Sequence, residues 1–99
     1  MIKSATLRDV EKHITNCLRQ NDIHTGLRLI IDHFHEPLYW AIRKWVLVHE
    51  DADDVLQLTY VRIYKGLGKF AFKSTVKTWC YRIAYNEAMR FLESNKKRV

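Results

Sequence analysis

Little in this chain constrains the fold from outside a hydrophobic core. Its two cysteines, Cys17 and Cys80, lie far apart and fit no metal-ligand spacing. Two thiols without a secretory signal point to a reducing compartment, so the expected location is the cytoplasm. The N-terminal M-I-K-S-A-T-L-R-D-V has no apolar core of a signal peptide. No apolar run approaches the length of a membrane span, so no membrane partner is expected. Apolar residues nowhere alternate with polar ones, and Val, Ile and Tyr recur instead at helical spacing, which argues against strands. Repeats and low-complexity stretches are lacking. Nothing resembles an activated nucleophile, a paired-carboxylate site or a phosphate-cradling loop, so the chain is expected not to be an enzyme. Five histidines raise the question of metal, but His33 and His35 point away from each other on a helix and no open ligand triad is visible. Neither a metal nor another cofactor is expected.

What remains is a globular composition, 47% hydrophobic and 28% charged. Ninety-nine residues form one domain able to build a single core. Lys and Arg total 17 against 11 acids, a net charge of +6. This excess suits an acidic partner, nucleic acid being the commonest, or a merely soluble basic protein.

Helical stripes run the length of the chain. Leu7, Val10, Ile14, Cys17 and Leu18 mark a first short helix capped by Thr6, with Asp9 near its positive end. Leu27, Ile30, Ile31, Phe34, Leu38, Ala41, Ile42, Trp45 and Val48 mark a second, capped by Thr25. Pro37 interrupts its hydrogen bonding but not its stripe, which predicts a kink or two abutting helices. Asp51-Ala52-Asp53-Asp54 is a helix start, with Asp51 as the cap, followed by inward Val55, Leu56, Thr59, Ile63 and Leu67. Gly66 and Gly68 end that helix. A link with Phe70 and Phe72 leads to Ser74 or Thr75, either of which can cap a last helix. Val76, Cys80, Ile83, Ala84, Ala88, Phe91 and Leu92 are its inward positions. The architecture is all-α, packed around Ile31, Phe34, Trp45, Val55, Ile63, Ile83 and Phe91.

Two constellations carry chemistry. On the last helix, Trp79, Tyr81, Tyr85 and Asn86 are interleaved with Lys73, Lys77, Arg82 and Arg90. Cations along a backbone with aromatic faces between them hold single-stranded nucleic acid. The same residues also suit an ordinary helix whose aromatics pack inward with their polar tips in water. On the preceding helix, Glu50, Asp51, Asp53 and Asp54 form an acidic edge beside exposed Leu58 and Val61. That is either a solvated helix start or an edge that pairs with a basic protein surface. An acidic edge repels DNA, so the two constellations should face different partners.

D-A-D-D-V-L-Q at 51–57, followed by K-F-A-F-K-S-T-V-K-T-W-C-Y-R-I-A-Y-N-E-A-M-R-F-L at 69–92 and a basic end, resembles region 2 of bacterial RNA polymerase sigma factors. The likeness is greatest to the extracytoplasmic-function (ECF) group and covers roughly 18–98. It implies a compact helical bundle of the sigma region 2 type spanning 1–99. The expected segments are an N-terminal helix and linker at 1–24 and a long helix at 25–49, kinked near Pro37. A polymerase-docking helix at 50–68, a pocket loop at 69–74, a promoter −10 helix at 75–95 and a basic tail at 96–99 follow. The resemblance implies that Asp53, Asp54, Gln57, Leu58 and Val61 dock on the clamp helices of the largest subunit of core RNA polymerase. It also implies that the last helix and its loop open and read the non-template strand of the −10 element. Phe70, the loop Ala71, Phe72, Lys73, Ser74 and Thr75, with Ile83 and Asn86, would surround a flipped base, bordered by Gly66. Trp79 and Tyr81 match aromatic positions of the melting surface, with Lys77, Arg82, Tyr85 and Arg90 beside them. An anti-sigma factor is a further partner of this kind of domain.

Three positions depart from the family pattern. Leu58 stands where an acid is common, so docking there is expected to be apolar. Phe72 and Lys73 replace a small and an acidic residue in the loop, which bears on base preference. Cys80 stands where housekeeping members carry a second Trp. No helical domain for the −35 element follows Arg98, so that domain is expected to have been removed or to be missing. The competing expectation is a helical interaction domain that keeps the polymerase or anti-sigma surface and does not read DNA.

Overall fold

The computed structural model describes residues 6–96, which form four helices: α1 (Leu7–Arg19), α2 (Ile23–Trp45), α3 (His49–Leu67) and α4 (Val76–Lys96). The fold is all-α. The Lys97 and Arg98 part of the expected basic tail lies outside the described residues.

Local chemistry explains each boundary. Thr6 accepts from the Asp9 amide at 3.1 Å while the Asp9 carboxylate accepts from the Thr6 amide at 3.2 Å, a reciprocal cap on α1. After Gln20 the chain turns through Asn21, whose φ of 60° is a left-handed conformation that Asn tolerates. The cap of α2 is Asp22, not Thr25. Asp22 Oδ1 accepts from the Thr25 amide at 3.3 Å, so the helix starts at Ile23, inside what the sequence assigned to a linker. Hydrogen bonds from Thr25, side chain before backbone, hold the Asp22 carboxyl below its usual range. Gly26 lies under α1, where a Cβ would come within 2.9 Å of Leu18 Cδ2. Close packing of α1 on α2 needs that missing side chain.

Pro37 sits inside one continuous α2, so the reading of two abutting helices falls away. Burial of the flanking stripe outweighs the lost hydrogen bond. The α3 cap also differs from expectation. Val48 holds that position in an extended conformation with no side-chain hydrogen bond, and the helix begins at His49. Asp51 therefore acts from within the first turn, where it and Glu50 meet the positive end of the helix dipole. At the far end Gly68 is right-handed, with φ of −65°, so no left-handed glycine closes α3. The left-handed residue of the link is Phe72, with φ of 59°.

The α2 helix is the centre of the bundle and packs against all three others. Its buried line is Ile30, Phe34, Leu38, Ile42 and then Val46 just past its end, a strict spacing of four. Four residues are about 40° more than one full turn, so such a line winds around the helix and offers successive faces to different neighbours. That spacing selects Ile30 over Ile31, which is only half-buried and stands outside the core cluster. The line shares one buried core with Ile14 of α1, Val55 and Ile63 of α3, and Val76 of α4. On α4 the fully buried positions are Val76, Cys80, Ala84 and Ala88. These side chains are small, so α4 lies close to the core, and bulky Ile83 and Phe91 are displaced to its flanks. Both, like Trp45, are partly buried against the core rather than within it.

Candidate nucleic-acid interface and docking face

The aromatic–basic helix is held at its start by a residue far away in sequence. Glu11 of α1 reaches the first turn of α4, where its two carboxylate oxygens accept from the Val76 and Lys77 amides at 2.7 and 2.8 Å. Thr75 Oγ1 accepts from the Thr78 amide at 3.1 Å, and the Trp79 amide donates to the Thr75 carbonyl at 3.1 Å. The Val76, Lys77 and Thr78 amides, which a helix start leaves open, are thereby satisfied, and the Trp79 amide makes the first bond of the helix itself. Of the two expected caps, Thr75 acts and Ser74 instead donates to the Thr75 carbonyl.

Two of the depressions beside α4 take in the sequence-derived residues of its aromatic–basic face. One is an open groove of about 530 Å³ between the end of α2 and α4, lined by Trp45, Lys77, Thr78, Tyr81, Arg82, Tyr85 and Asn86. Trp45 meets Tyr85 edge-on, ring centroids 5.2 Å apart. Lys77 Nζ lies 5.6 Å from the centre of the Tyr81 ring, within reach of a cation–π attraction. Partial burial pushes the Tyr81 phenol up, so it stays a neutral donor at physiological pH. The other depression is smaller, about 210 Å³, and is lined by Arg62, Gly66, Trp79, Ile83, Asn86, Glu87 and Arg90. Asn86 lines both and so stands on the ridge between them.

The second depression brings together Gly66, Trp79, Ile83, Asn86 and Arg90 of the sequence-derived set. A Cβ on Gly66 would come within 3.0 Å of Trp79 Cζ2, so the glycine makes room for the indole. The loop residues do not line it. Phe70 is buried, and its ring is covered edge-on by Phe72 at 4.9 Å and Trp79 at 5.3 Å. Phe72 is covered in turn by the Arg19 guanidinium, 4.1 Å from its ring centre. Ala71, Lys73 and Thr75 are exposed and Ser74 half-buried. An aromatic stack, not a cavity, occupies the space the sequence assigned to Phe70 and its loop.

On α3, Asp54, Gln57, Leu58 and Val61 line one shallow depression. Leu58 and Val61 are 51% and 48% exposed, so the apolar part of this face is open to a partner. Asp53 turns instead to His49, Oδ2 to Nε2 at 3.3 Å, and His49 Nδ1 meets the Tyr39 hydroxyl at 2.6 Å.

Sequence reasoning did not single out Glu11, Arg19, Arg62 or Glu87, and it gave Trp45 to the core. Glu87 is 6% exposed, and Arg62 and Arg90 meet one of its oxygens at 2.9 and 3.1 Å. The i, i+3 spacing of Glu87 and Arg90 was a local signal for half of that arrangement.

Adjacent helices thus carry two different faces, an acid-edged apolar one on α3 and an aromatic–basic one on α4. Residues 30–98 match the Sigma-70 region 2 family. The chain belongs to the sigma-70 family, as a region 2 domain of the ECF group. It is 35% identical over 93 residues to the RNA polymerase sigma-H factor of Pseudomonas aeruginosa, covering 92% of this chain and 47% of that protein. It is 42% identical over 48 residues to the ECF RNA polymerase sigma factor SigG of Mycobacterium tuberculosis, covering 48% of this chain and 13% of that protein. With the ECF RNA polymerase sigma-E factor of Haemophilus influenzae it shares 27% identity over 73 residues, 74% of this chain and 38% of the relative. The chain thus spans less than half the length of these relatives. Among the described residues no helix is long and apolar enough to cross a membrane.

Proposed function

We propose that this domain is a transcription initiation module, which docks on core RNA polymerase through α3 and engages single-stranded promoter −10 DNA through α4. The observation that carries the reading is the division of labour between adjacent helices. Asp54, Gln57, Leu58 and Val61 form a face fit for a basic-rimmed, apolar-centred protein surface. Lys77, Tyr81, Arg82 and Tyr85 form one fit for phosphates and bases. The relatives named as RNA polymerase sigma factors support it. In this reading Asn86 meets a base edge from its ridge, since an amide offers both donors and an acceptor. Gly66, Trp79 and Ile83 form the wall beside it, and Arg62 and Arg90 meet the neighbouring phosphates. The proposed role needs no catalytic group, and an anti-sigma factor would compete for the α3 face.

The test is binding of fluorescent single-stranded −10-like oligonucleotides at several salt concentrations, alongside binding of core polymerase. Affinity should fall steeply with salt, from phosphate contacts, and should depend on base sequence, from edge reading. Polymerase binding with no affinity for any single strand would select the interaction domain that does not read DNA.

A further inference from the structure

The groove between the end of α2 and α4 has one aromatic wall, Trp45 of α2, to which the −10 reading gives no role. Its floor and sides are aromatic: Trp45, Tyr81 and Tyr85, with Tyr85 47% exposed. Its rim carries Lys77 and Arg82. Flat aromatic walls with cations at the rim suit a flat, apolar-faced group that carries negative charge at its edge. A nucleobase with its phosphates has that chemistry. The groove also adjoins the smaller depression across the ridge at Asn86, which lines both.

We propose that this groove is a second nucleobase seat, in which an unpaired base of the same strand lies against Trp45 and Tyr85 with its phosphates on Lys77 and Arg82. The strand crosses α4 over Asn86, with one base on the Ile83 side and a neighbouring base on the Tyr85 side. Trp45 becomes a DNA-contacting residue although it belongs to α2, outside the aromatic–basic helix. The edge-on packing of Trp45 on Tyr85, at 5.2 Å and 85°, fixes both rings before a base arrives. The seat discriminates little among bases, because stacking uses the face that every base has. It supplies affinity, and the Asn86 side supplies base choice.

This seat rests on the reading of α4 as a single-strand face, and the experiment separates the two. The full chain is titrated with single-stranded oligonucleotides carrying 2-aminopurine at each position in turn. Wild type should quench the fluorescence at two positions of the strand. Trp45→Leu and Tyr85→Leu should each lower affinity about tenfold and remove the quench at one of those positions only. Asn86→Ala should leave that quench in place. Melting temperatures of the variants control for folding, and Tyr85, being half exposed, keeps the test open if Trp45→Leu is unstable. If strands bind with salt and sequence dependence but both leucine variants match wild type in affinity and quenching, the second seat is wrong and the −10 reading stands. If no single strand binds wild type, both fall.

Discussion

Removing the Glu11 carboxylate tests whether α1 builds the DNA face or merely packs beside it. The carboxylate accepts from two amides of α4, at 2.7 and 2.8 Å, and it is only partly exposed. Loss of a side-chain cap costs about 0.5–2 kcal/mol. Loss of a negative charge at the positive end of a helix costs a further 0.3–1 kcal/mol or so. Glu11→Ala should therefore destabilise the domain by about 2 kcal/mol, because the Val76 and Lys77 amides lose both partner and charge. In a chain of this size each kcal/mol moves the melting temperature by about 4–8 °C, so the expected fall is roughly 10 °C. Glu11→Gln keeps an acceptor oxygen and loses the charge, and should lie between. Thermal melts followed by far-ultraviolet circular dichroism measure this. Asp32→Ala is the control, since Asp32 is exposed in mid-α2 and should change stability by under about 0.5 kcal/mol. Lys77 sits in the turn that would fray, so single-strand affinity should fall together with stability. If Glu11→Ala melts with the Asp32→Ala control, the two hydrogen bonds contribute nothing and α4 is held by its apolar stripe alone.

Asp54→Ala combined with Gln57→Ala should weaken core polymerase binding while leaving the melting temperature nearly unchanged, because both side chains are exposed. Wild-type polymerase affinity in the double variant would count against the α3 face. Asn86→Ala should lose discrimination at one −10 position by about 1–3 kcal/mol. Lys77→Ala should weaken all strands alike and flatten the salt dependence, and competition among oligonucleotides differing at one base separates the two effects. Alkaline pH should destabilise the fold. Burial first, and the Glu11 charge second, push the Cys80 thiol from 9.0 up to about 12, and burial likewise raises the Tyr60 phenol from 10.0 to about 12. Above the unfolded values the unfolded chain sheds protons that the folded chain keeps, so stability present below pH 9.0 should decline as pH rises toward 12. Melts across that range check the sign, and Cys80→Ala should remove part of the slope.

The helices were legible because their stability comes from apolar stripes, and a stripe is a property of sequence. Their starts were less so. Asp22 and Thr25 both suit a cap, and only the turn through left-handed Asn21 brings Asp22 to the Thr25 amide. Asp51 suits a cap as well as any residue, but Val46 ends α2 with its amide on the Ile42 carbonyl, and the chain re-enters a helix too soon for Asp51 to serve. The site divides in the same way. Asp54, Gln57, Leu58 and Val61 share one helix face, and their convergence follows from spacing alone. Ile83 and Asn86 do too. Phe70 was a residue whose partners, Trp79 and Phe72, were all named, yet spacing cannot say that aromatic rings will fill a space instead of framing it.

The residues that escaped the sequence are those whose partners lie on another helix. Glu11 reads as a solvated acid on a short amphipathic helix, and nothing near it in the chain says that its carboxylate turns to amides 65 and 66 residues away. Arg19 reads as a C-terminal cation complementing the α1 dipole, yet it lies over Phe72. Both belong to α1, which precedes the 30–98 segment matched to the sigma-70 region 2 family. One holds the first turn of α4, and the other covers the left-handed residue of the loop before it. A helix that carries none of the family's motif residues thus holds the link at Phe72 and the start of α4 at Val76 and Lys77. A β-branched or bulky residue resists a left-handed backbone, and Phe72 adopts one where Arg19 lies over its ring and Phe70 meets it edge-on. The left-handed backbone at Phe72 is therefore held by a tertiary contact with α1 as well as by Phe70 within the link.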